Sequence, residues 1–502
     1  MLFRALSIVV LTAVLSTLGH AAPQERLNVL FIAVDDLRPE LGCYGRAHVK
    51  SPNIDKLAER GMVFTRAYCQ QAVCGQSRAS LLTGLRPDTI KGSGMGVHFR
   101  KFVPDVVTLP QNFKLHGYRS EAMGKIFHGA FENAYVGARM DDPPSWSVPT
   151  WRAGPRYYYT PEGVAIARKV APKQVKVPLT DPDDWTEHFV RGLATEAPEI
   201  ADHVTYDGQV ADHAVETLHR VQNEPFFLAV GFLKPHLPFI APKKYWDLYD
   251  PAEIELAENP FPPKDVPPLA MTNFGELRYY YDIPKNGPVS DEQARRLIHG
   301  YYACVSYVDA LIGRVLDELD RLGLKERTIV VLWGDHGWHL GDHGLWCKHT
   351  NFENATRVPL VVSTPGMKAA GKETDALVEF VDLYPTLGEL ASLPVPDSLE
   401  GTSFTPLLDD PGLAWKQAAF SQYPRGKAMG YSMRTDRYRF TRWQDRKEPD
   451  KVHGVELYAH QNDPEENVNL ANRPEHADLV DELTVQLKAG WKAAKPQPEK
   501  LR

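Results

Sequence analysis

Cysteine is scarce in this chain. Cys43, Cys69, Cys74, Cys304 and Cys347 are all that 502 residues contain. That density excludes a disulfide scaffold, and the odd number leaves at least one thiol outside any intramolecular pair. Basic excess is missing as well. The formal net charge is −7, so there is no broad cationic footprint for nucleic acid. An acidic protein can still hold a local positive pocket for a small anion. Beyond the N-terminus, charges or prolines interrupt every apolar run, and no stable membrane insertion is expected. No repeat or low-complexity tract divides the chain.

What is present begins at the N-terminus. Met1-Leu2-Phe3-Arg4 carries a positive charge, Ala5 to Leu18 is almost wholly apolar, and small residues occur in Gly19-His20-Ala21-Ala22. This predicts a cleaved secretory signal peptide over residues 1–22. The apolar run is shorter than the ~20 residues that span a bilayer. Export is expected, to the periplasm or outside a bacterial cell, or to the lysosome of a eukaryote. One sequon, Asn354-Ala355-Thr356, and few cysteines favour a bacterial source.

The mature chain opens with the continuous apolar run Asn28 to Val34, and the pattern recurs at Phe226 to Gly231, Thr328 to Trp333 and Val358 to Val362. Such runs read as strands buried on both faces. Helical patterns lie between them at Asn53 to Arg60, Ala211 to Val221 and Asp291 to Leu322, the last with an Asp as its cap. Strands alternating with helices predict an α/β fold, a mostly parallel sheet flanked by helices. Residues 23–400 read as one catalytic unit. Residues 401–502, with alternating segments at Gly430 to Arg434 and Tyr438 to Thr441 and an amphipathic stretch from Ala477 to Trp491, read as a smaller α+β subdomain on an antiparallel sheet. Residues 129–200 and 257–290 are weakly patterned, as functional rims often are.

Ligands of such sheets bind at the carboxyl ends of the strands. Asp35-Asp36, Lys234-Pro235-His236 and Asp335-His336 all stand there. Adjacent carboxylates need a cation or donors to offset them, and an oxygen-rich set suits a hard cation such as Ca²⁺. Strand-end solvation or helix capping would explain the same residues. His336, His339 and His343 also allow a zinc cluster, although their spacing is a loose signal. Cys74 opens a helical segment four residues before Arg78, a setting that favours a thiolate nucleophile. A thiolate is a poor partner for a hard cation, so these two local readings conflict.

The segments Val34 to Pro39, Cys74-Gly75-Gln76-Ser77-Arg78, Gly124-Lys125-Ile126-Phe127-His128, Lys234 to Phe239, Asp335-His336-Gly337-Trp338 and Trp346-Cys347-Lys348 occur in the order seen in the formylglycine-dependent sulfatase family. The resemblance is strongest to its iduronate-2-sulfatase branch and runs from about residue 27 to about residue 470. It implies an alkaline-phosphatase-like fold. It also implies that a maturation enzyme oxidises Cys74 to formylglycine, whose oxygen removes the conflict with the cation. One Ca²⁺ would be held by Asp35, Asp36, the modified Cys74, Asp335 and His336. Arg78, Lys125 and Lys348 match residues that hold the nucleophile and the sulfate oxygens. His128 and His236 match histidines beside nucleophile and leaving group. The implied substrate is a sulfated oligosaccharide or polysaccharide, with a uronate 2-O-sulfate suggested by the branch. The chain departs from the family motif at Gln76, where Pro or Ala is usual. Two other functions fit the residues: a phosphomonoester or phosphonate hydrolase with two transition metals, and a sulfated-glycan binder made inactive through Gln76.

Overall fold

The computed structural model describes residues 26–91, 97–128, 141–154, 157–175 and 189–496. The signal-peptide reading of residues 1–22 lies outside them. Among the described residues no helix is long and apolar enough to cross a membrane.

Seven strands form the main sheet: β1 (Asn28–Val34), β2 (Met62–Phe64), β3 (Arg119–Gly124), β4 (Phe226–Phe232), β5 (Thr328–Gly334), β6 (Leu360–Ser363) and β7 (Lys372–Thr374). Their order is β7-β2-β6-β5-β1-β4-β3. β1 lies parallel to both β4 and β5, β4 is parallel to β3, and β6 runs antiparallel to β5 and β2.

Alternation along β1 builds two cores. Leu30, Ile32 and Val34 face one, and Val29, Phe31 and Ala33 face the other. The first is closed by α1 (Pro52–Arg60), α3 (Tyr206–Val221) and the long α4 (Asp291–Arg321), the second by α2 (Cys74–Thr83) and by helices Leu109–Leu115 and Leu383–Leu390. A strand packed on both faces cannot relax around a lost side chain, so Ile32→Ala would cost about 2–5 kcal/mol.

Several sequence boundaries move. α3 begins at Tyr206, where the Thr205 hydroxyl accepts the Gly208 N–H; its polar first turn hides the start from an apolar pattern. The cap of α4 is Ser290, not Asp291, with its Oγ accepting from Gln293. The Val358 to Val362 run is split, with Arg357–Val358 pairing elsewhere and β6 starting at Leu360.

The C-terminal sheet is an antiparallel meander, β8 (Ala418–Arg425), β9 (Ala428–Thr435), β10 (Tyr438–Asp445) and β11 (Val452–Ala459), covered by α5 (Ala477–Ala493). It docks through polar contacts. Arg439 is fully buried and donates from Nε to Glu466 at 2.7 Å and from Nη2 to Glu353. β8 also grips the segment ahead of Cys74: Ser421 Oγ donates to the Cys69 carbonyl at 2.6 Å, and Gln422 N donates to the Gln70 carbonyl at 2.8 Å.

Register decides where the chemistry lies. Val34 is level with Phe232 and with Gly334, and Gly124 is level with Gly231. The next residues of all four strands therefore meet along one edge. Gly124 (φ 70°) and Gly231 make this possible. A Cβ on Gly124 would lie 2.0 Å from the Gly231 carbonyl oxygen, and one on Gly231 would lie 2.2 Å from that of Lys125.

Candidate active site

Asp35 and Asp36 leave β1, and Asp335 and His336 leave β5; all four are inaccessible to solvent. Asp36 adopts φ 60°, which turns it back toward β5, a conformation Asp tolerates better than most residues. It is held there from both sides. Its N–H donates to Asp335 Oδ1 at 3.0 Å, and its carbonyl accepts from the Tyr301 hydroxyl at 2.8 Å.

His336 Nδ1 lies 2.9 Å from the Gly337 carbonyl, which can only accept, so that nitrogen carries the proton. Nε2, the nitrogen left to serve as a ligand, lies 3.2 Å from Asp36 Oδ1 and 3.5 Å from Asp335 Oδ1. Three electron-rich atoms at that spacing match neighbouring donors about 2.4 Å from one ion. Asp35 completes an oxygen-dominated set in which the residues present fit a hard cation. His339 and His343 do not join it. They pair with Thr350 and Asn259, and among the described residues the metal-capable clusters contain neither.

Three cations surround these carboxylates. Arg78, wholly buried, donates from Nε to Asp335 at 2.8 Å and from Nη2 to Asp35 at 3.2 Å. Lys125 Nζ lies 2.5 Å from Asp35 Oδ2. Lys348 Nζ lies 2.8 Å from Asp36 Oδ1 and 5.0 Å above the Trp338 ring. Burial works to raise both aspartates. For Asp35 the charges of Lys125, His236 and Arg78 outweigh it and hold the carboxyl well below its usual range. For Asp36, burial and the Asp35 charge prevail over His236 and Lys348, and its carboxyl moves up. Asp35 thus takes two cations, and Asp36 takes Lys348 alone.

Cys74 is the first residue of α2 and is 1% exposed. Its Sγ lies 3.2 Å from His336 Nε2 and 3.8 Å from Asp36 Oδ1. The local reading of a thiolate favoured by Arg78 does not hold. Arg78 is committed to the aspartates, while burial and the Asp35 charge push the thiol well above its ordinary value. His128 packs over the same helix start, 3.7 Å from where a Gly75 Cβ would be. Burial, then the charges of Lys125, Arg78 and Lys348, hold its imidazole well below its usual pKa, and so neutral.

The loop after β4 brings in His236. Asp207 in the first turn of α3 accepts the N–H groups of Leu233 and Lys234 at 2.7 and 2.9 Å, and Lys234 Nζ bonds the carbonyls of His236 and Pro238 inside the loop. Cys347 and His349, with φ 68° and 75°, bend the chain on either side of Lys348. The structure thus brings together Asp35, Asp36, Cys74, Arg78, Lys125, His128, His236, Asp335, His336 and Lys348.

It adds a residue that the sequence does not single out. Glu276 lies on a one-turn helix, Gly275–Arg278, inside the weakly patterned stretch. Its Oε1 is 3.2 Å from both His236 Nε2 and Lys348 Nζ. Burial raises its carboxyl, but Lys348 and His236 outweigh that and hold it well below the usual range. Only its place in a long rim loop hinted at a role.

A sulfatase family model matches residues 27–393. The chain belongs to the sulfatase family. A second model, the C-terminal part of N-sulphoglucosamine sulphohydrolase, matches residues 341–493 of this sulfatase. Among curated proteins it is 34% identical to iduronate 2-sulfatase of Mus musculus, over 93% of this chain and 94% of the relative. The Homo sapiens protein of the same name is also 34% identical, over 91% and 93%. A sulfatase of Formosa agariphila is 31% identical, over 93% and 88%. The fold is alkaline-phosphatase-like, as its structural neighbours show. Phosphonate monoester hydrolase of Agrobacterium radiobacter superposes with a TM-score of 0.72 at 23% identity, covering 93% of this chain and 96% of that one. A 2-O GAG sulfatase superposes at 0.68 and 22%, covering 94% and 93%. At those identities both show the fold alone. The protein is a sulfatase enzyme, and hydrolysis of sulfate esters is its activity.

Proposed function

We propose that this sulfatase removes a 2-O-sulfate from a uronate at the end of a sulfated oligosaccharide. The observation that carries the proposal is the pocket itself. A buried Cys74, three carboxylates, His336 and the cations Arg78, Lys125 and Lys348 converge there, in a chain 34% identical over nearly its full length to proteins named iduronate 2-sulfatase. Residues 23–400 would form the catalytic unit and residues 401–502 the smaller one, with export directed by residues 1–22.

Asp35, Asp36, Asp335 and His336 would hold one Ca²⁺, which supplies positive charge against the sulfate oxygens. Oxidation of Cys74 to formylglycine by a maturation enzyme, and hydration of that aldehyde, would replace sulfur, a poor match for this set, with two hydroxyls. One would attack the ester sulfur and release the sugar alcohol, and the other would then lose its proton and expel sulfate, restoring the aldehyde. Gln76 is buried beside it in α2. Arg78 and Lys125 fix the geometry of the nucleophile by anchoring Asp35 and Asp335. Lys348 and Lys125 face the sulfate and stabilise charge that grows as the S–O bond breaks. Neutral His128, above the helix start, accepts a proton from the nucleophile. His236 donates its Nε2 proton to the departing sugar oxygen.

A panel of 2-, 3-, 4- and 6-O-sulfated saccharides and phosphate and phosphonate esters, with products read by mass spectrometry, tests this. Release from the 2-O-sulfated uronate is expected to dominate. Turnover confined to other sulfated sugars overturns the uronate assignment, and faster cleavage of phosphonate esters overturns the preference for sulfate.

A further inference from the structure

Next to His236 the rim of the pocket carries a guanidinium that no carboxylate neutralises among the described residues. Phe189 stands edge-on to the His236 ring, with centroids 6.4 Å apart. Beyond it, the Arg191 guanidinium lies 4.9 Å from the Phe189 ring and 5.5 Å from the Tyr279 ring. Arg191 Nε is buried and has no hydrogen-bond partner. Arg38, Arg78, Arg86 and Arg439 are paired with carboxylates, and Arg327, Arg357, Arg425 and Arg442 donate to carbonyl or amide oxygens.

The backbone of Arg191 is nonetheless fixed. Gln174 holds the Arg191 backbone from both sides, its Oε1 accepting the N–H at 2.8 Å and its Nε2 donating to the carbonyl at 3.2 Å. Two further bonds tie this segment to the opposite wall: Tyr281 N to the Gly192 carbonyl at 2.8 Å, and Ala194 N to Asp282 Oδ1 at 2.9 Å. That wall is the one that presents Glu276 to His236, and Tyr279 follows Glu276 by three residues. Tyr279 is 67% exposed, so the stacked guanidinium sits at the mouth of the pocket and not in the core. A guanidinium stacked on aromatic rings keeps its in-plane N–H groups available, and its fork matches a carboxylate with two parallel bonds. A ligand that supplies an anion would give this guanidinium the charged partner that it lacks among the described residues.

We infer that Arg191 is the specificity residue for a carboxylate on the substrate, the ring carboxylate of the sulfated uronate. This rests on the uronate reading above. One aromatic ring, that of Phe189, separates the guanidinium from the imidazole at the proposed leaving-group position. The sulfate would enter the buried cationic pocket while the carboxylate of the same ring stays at the rim on Arg191, with Tyr279 as the sugar-facing side of the stack.

The test uses the full chain with Cys74 conversion verified by peptide mass. kcat/KM is measured on a 2-O-sulfated uronate disaccharide and on its carboxyl-reduced counterpart, in which a neutral hydroxymethyl replaces the carboxylate. In the wild type the carboxylate form is preferred. In Arg191→Ala the ratio of the two values is expected to fall by about 10- to 100-fold, the range for a hydrogen bond to a charged group. Arg191→Lys, which keeps the charge but loses the fork, is expected to recover part of it, chiefly in KM. A ratio unchanged in Arg191→Ala, with both substrates losing equally, overturns the assignment and leaves the uronate reading standing. A wild type that desulfates other saccharides but neither of this pair overturns the uronate reading and this inference with it.

Discussion

The Glu276 carboxylate lies 3.2 Å from His236 Nε2, while Nδ1 of the same ring is 2.6 Å from the Leu237 carbonyl. Both ring nitrogens thus face acceptors, and the Nε2 proton that the proposed acid would pass on is directed at Glu276. Glu276 would hold the imidazole of the proposed acid in place, and its bond to Nε2 gives way to the sugar oxygen as the proton moves. Glu276→Gln keeps the shape and removes the charge. Its kcat on a sulfated sugar is expected to fall by about 10²-fold, at the lower end of acid catalysis, with a much smaller loss on 4-nitrophenyl sulfate, whose leaving group needs no proton. Glu276→Asp should recover part of the sugar activity. Equal losses on both substrates would show that Glu276 serves only to hold the loop.

Cys74→Ala should fold, because the side chain is small and the helix start is secured by Ser77 and Arg78. It should have no measurable turnover. Protein carrying only the free thiol should be equally inactive, since burial and Asp35 disfavour the thiolate. Peptide mass spectrometry beside a sulfate-release assay decides the point: activity from a fully unmodified thiol would falsify the proposed nucleophile.

Elemental analysis of the active protein is expected to find one calcium per chain. Chelation should abolish turnover, and added calcium should restore it. Asp35→Asn leaves Lys125 and Arg78 facing a neutral amide and weakens the donor set, so calcium affinity should drop at least about tenfold, by analogy with the loss of outer partners at metal sites. Two zinc ions per chain, with activity indifferent to calcium, would contradict the assignment.

The C-terminal sheet carries its own pH signature. Glu456 is buried between Trp443 Nε1, which donates at 2.7 Å, and the Tyr458 hydroxyl, which donates at 2.9 Å, and burial pushes its carboxyl up from 4.5 to about 7. Unfolded, it ionises near 4.5. Between these values the unfolded chain sheds the proton and the folded one keeps it, so stability falls as pH rises from about 4.5 to 7 and levels off above. Glu456→Gln removes that slope. Relative to wild type, it should gain about 3 kcal/mol between pH 4.5 and pH 8, read from denaturant unfolding at the two pH values. Parallel wild-type and variant curves would contradict the raised pKa.

The strands and the strand-end residues Asp35, Asp36, His236, Asp335 and His336 are legible from short-range signals, whereas Lys125, His128 and Lys348 are singled out only by the family resemblance. Continuous apolar runs mark doubly buried strands, and polar pairs directly after them mark strand ends. Register then brings Asp35 and Asp335 together without further instruction. Glu276 is not legible for the opposite reason. Its helix is one turn long, no strand precedes it, and its partners lie 40 residues before and 72 after it. The Cys74 thiolate reading fails because it weighs a helix start and an arginine but cannot see burial. Ser290 and Thr205 are ordinary caps whose helices open with polar turns, so apolar periodicity starts counting too late.

The 1% exposure of Cys74 sets an order of events. In the finished protein the helix start lies under His128 and behind the β8 strand that grips Cys69 and Gln70. An oxidising enzyme that must bind the segment around Cys74 cannot reach it there. The proposed conversion must therefore happen on the unfolded chain, and chains that fold first are sealed as inactive molecules. The active fraction of any preparation would then record a race between maturation and folding, which slower folding or more abundant maturation enzyme should tilt toward activity.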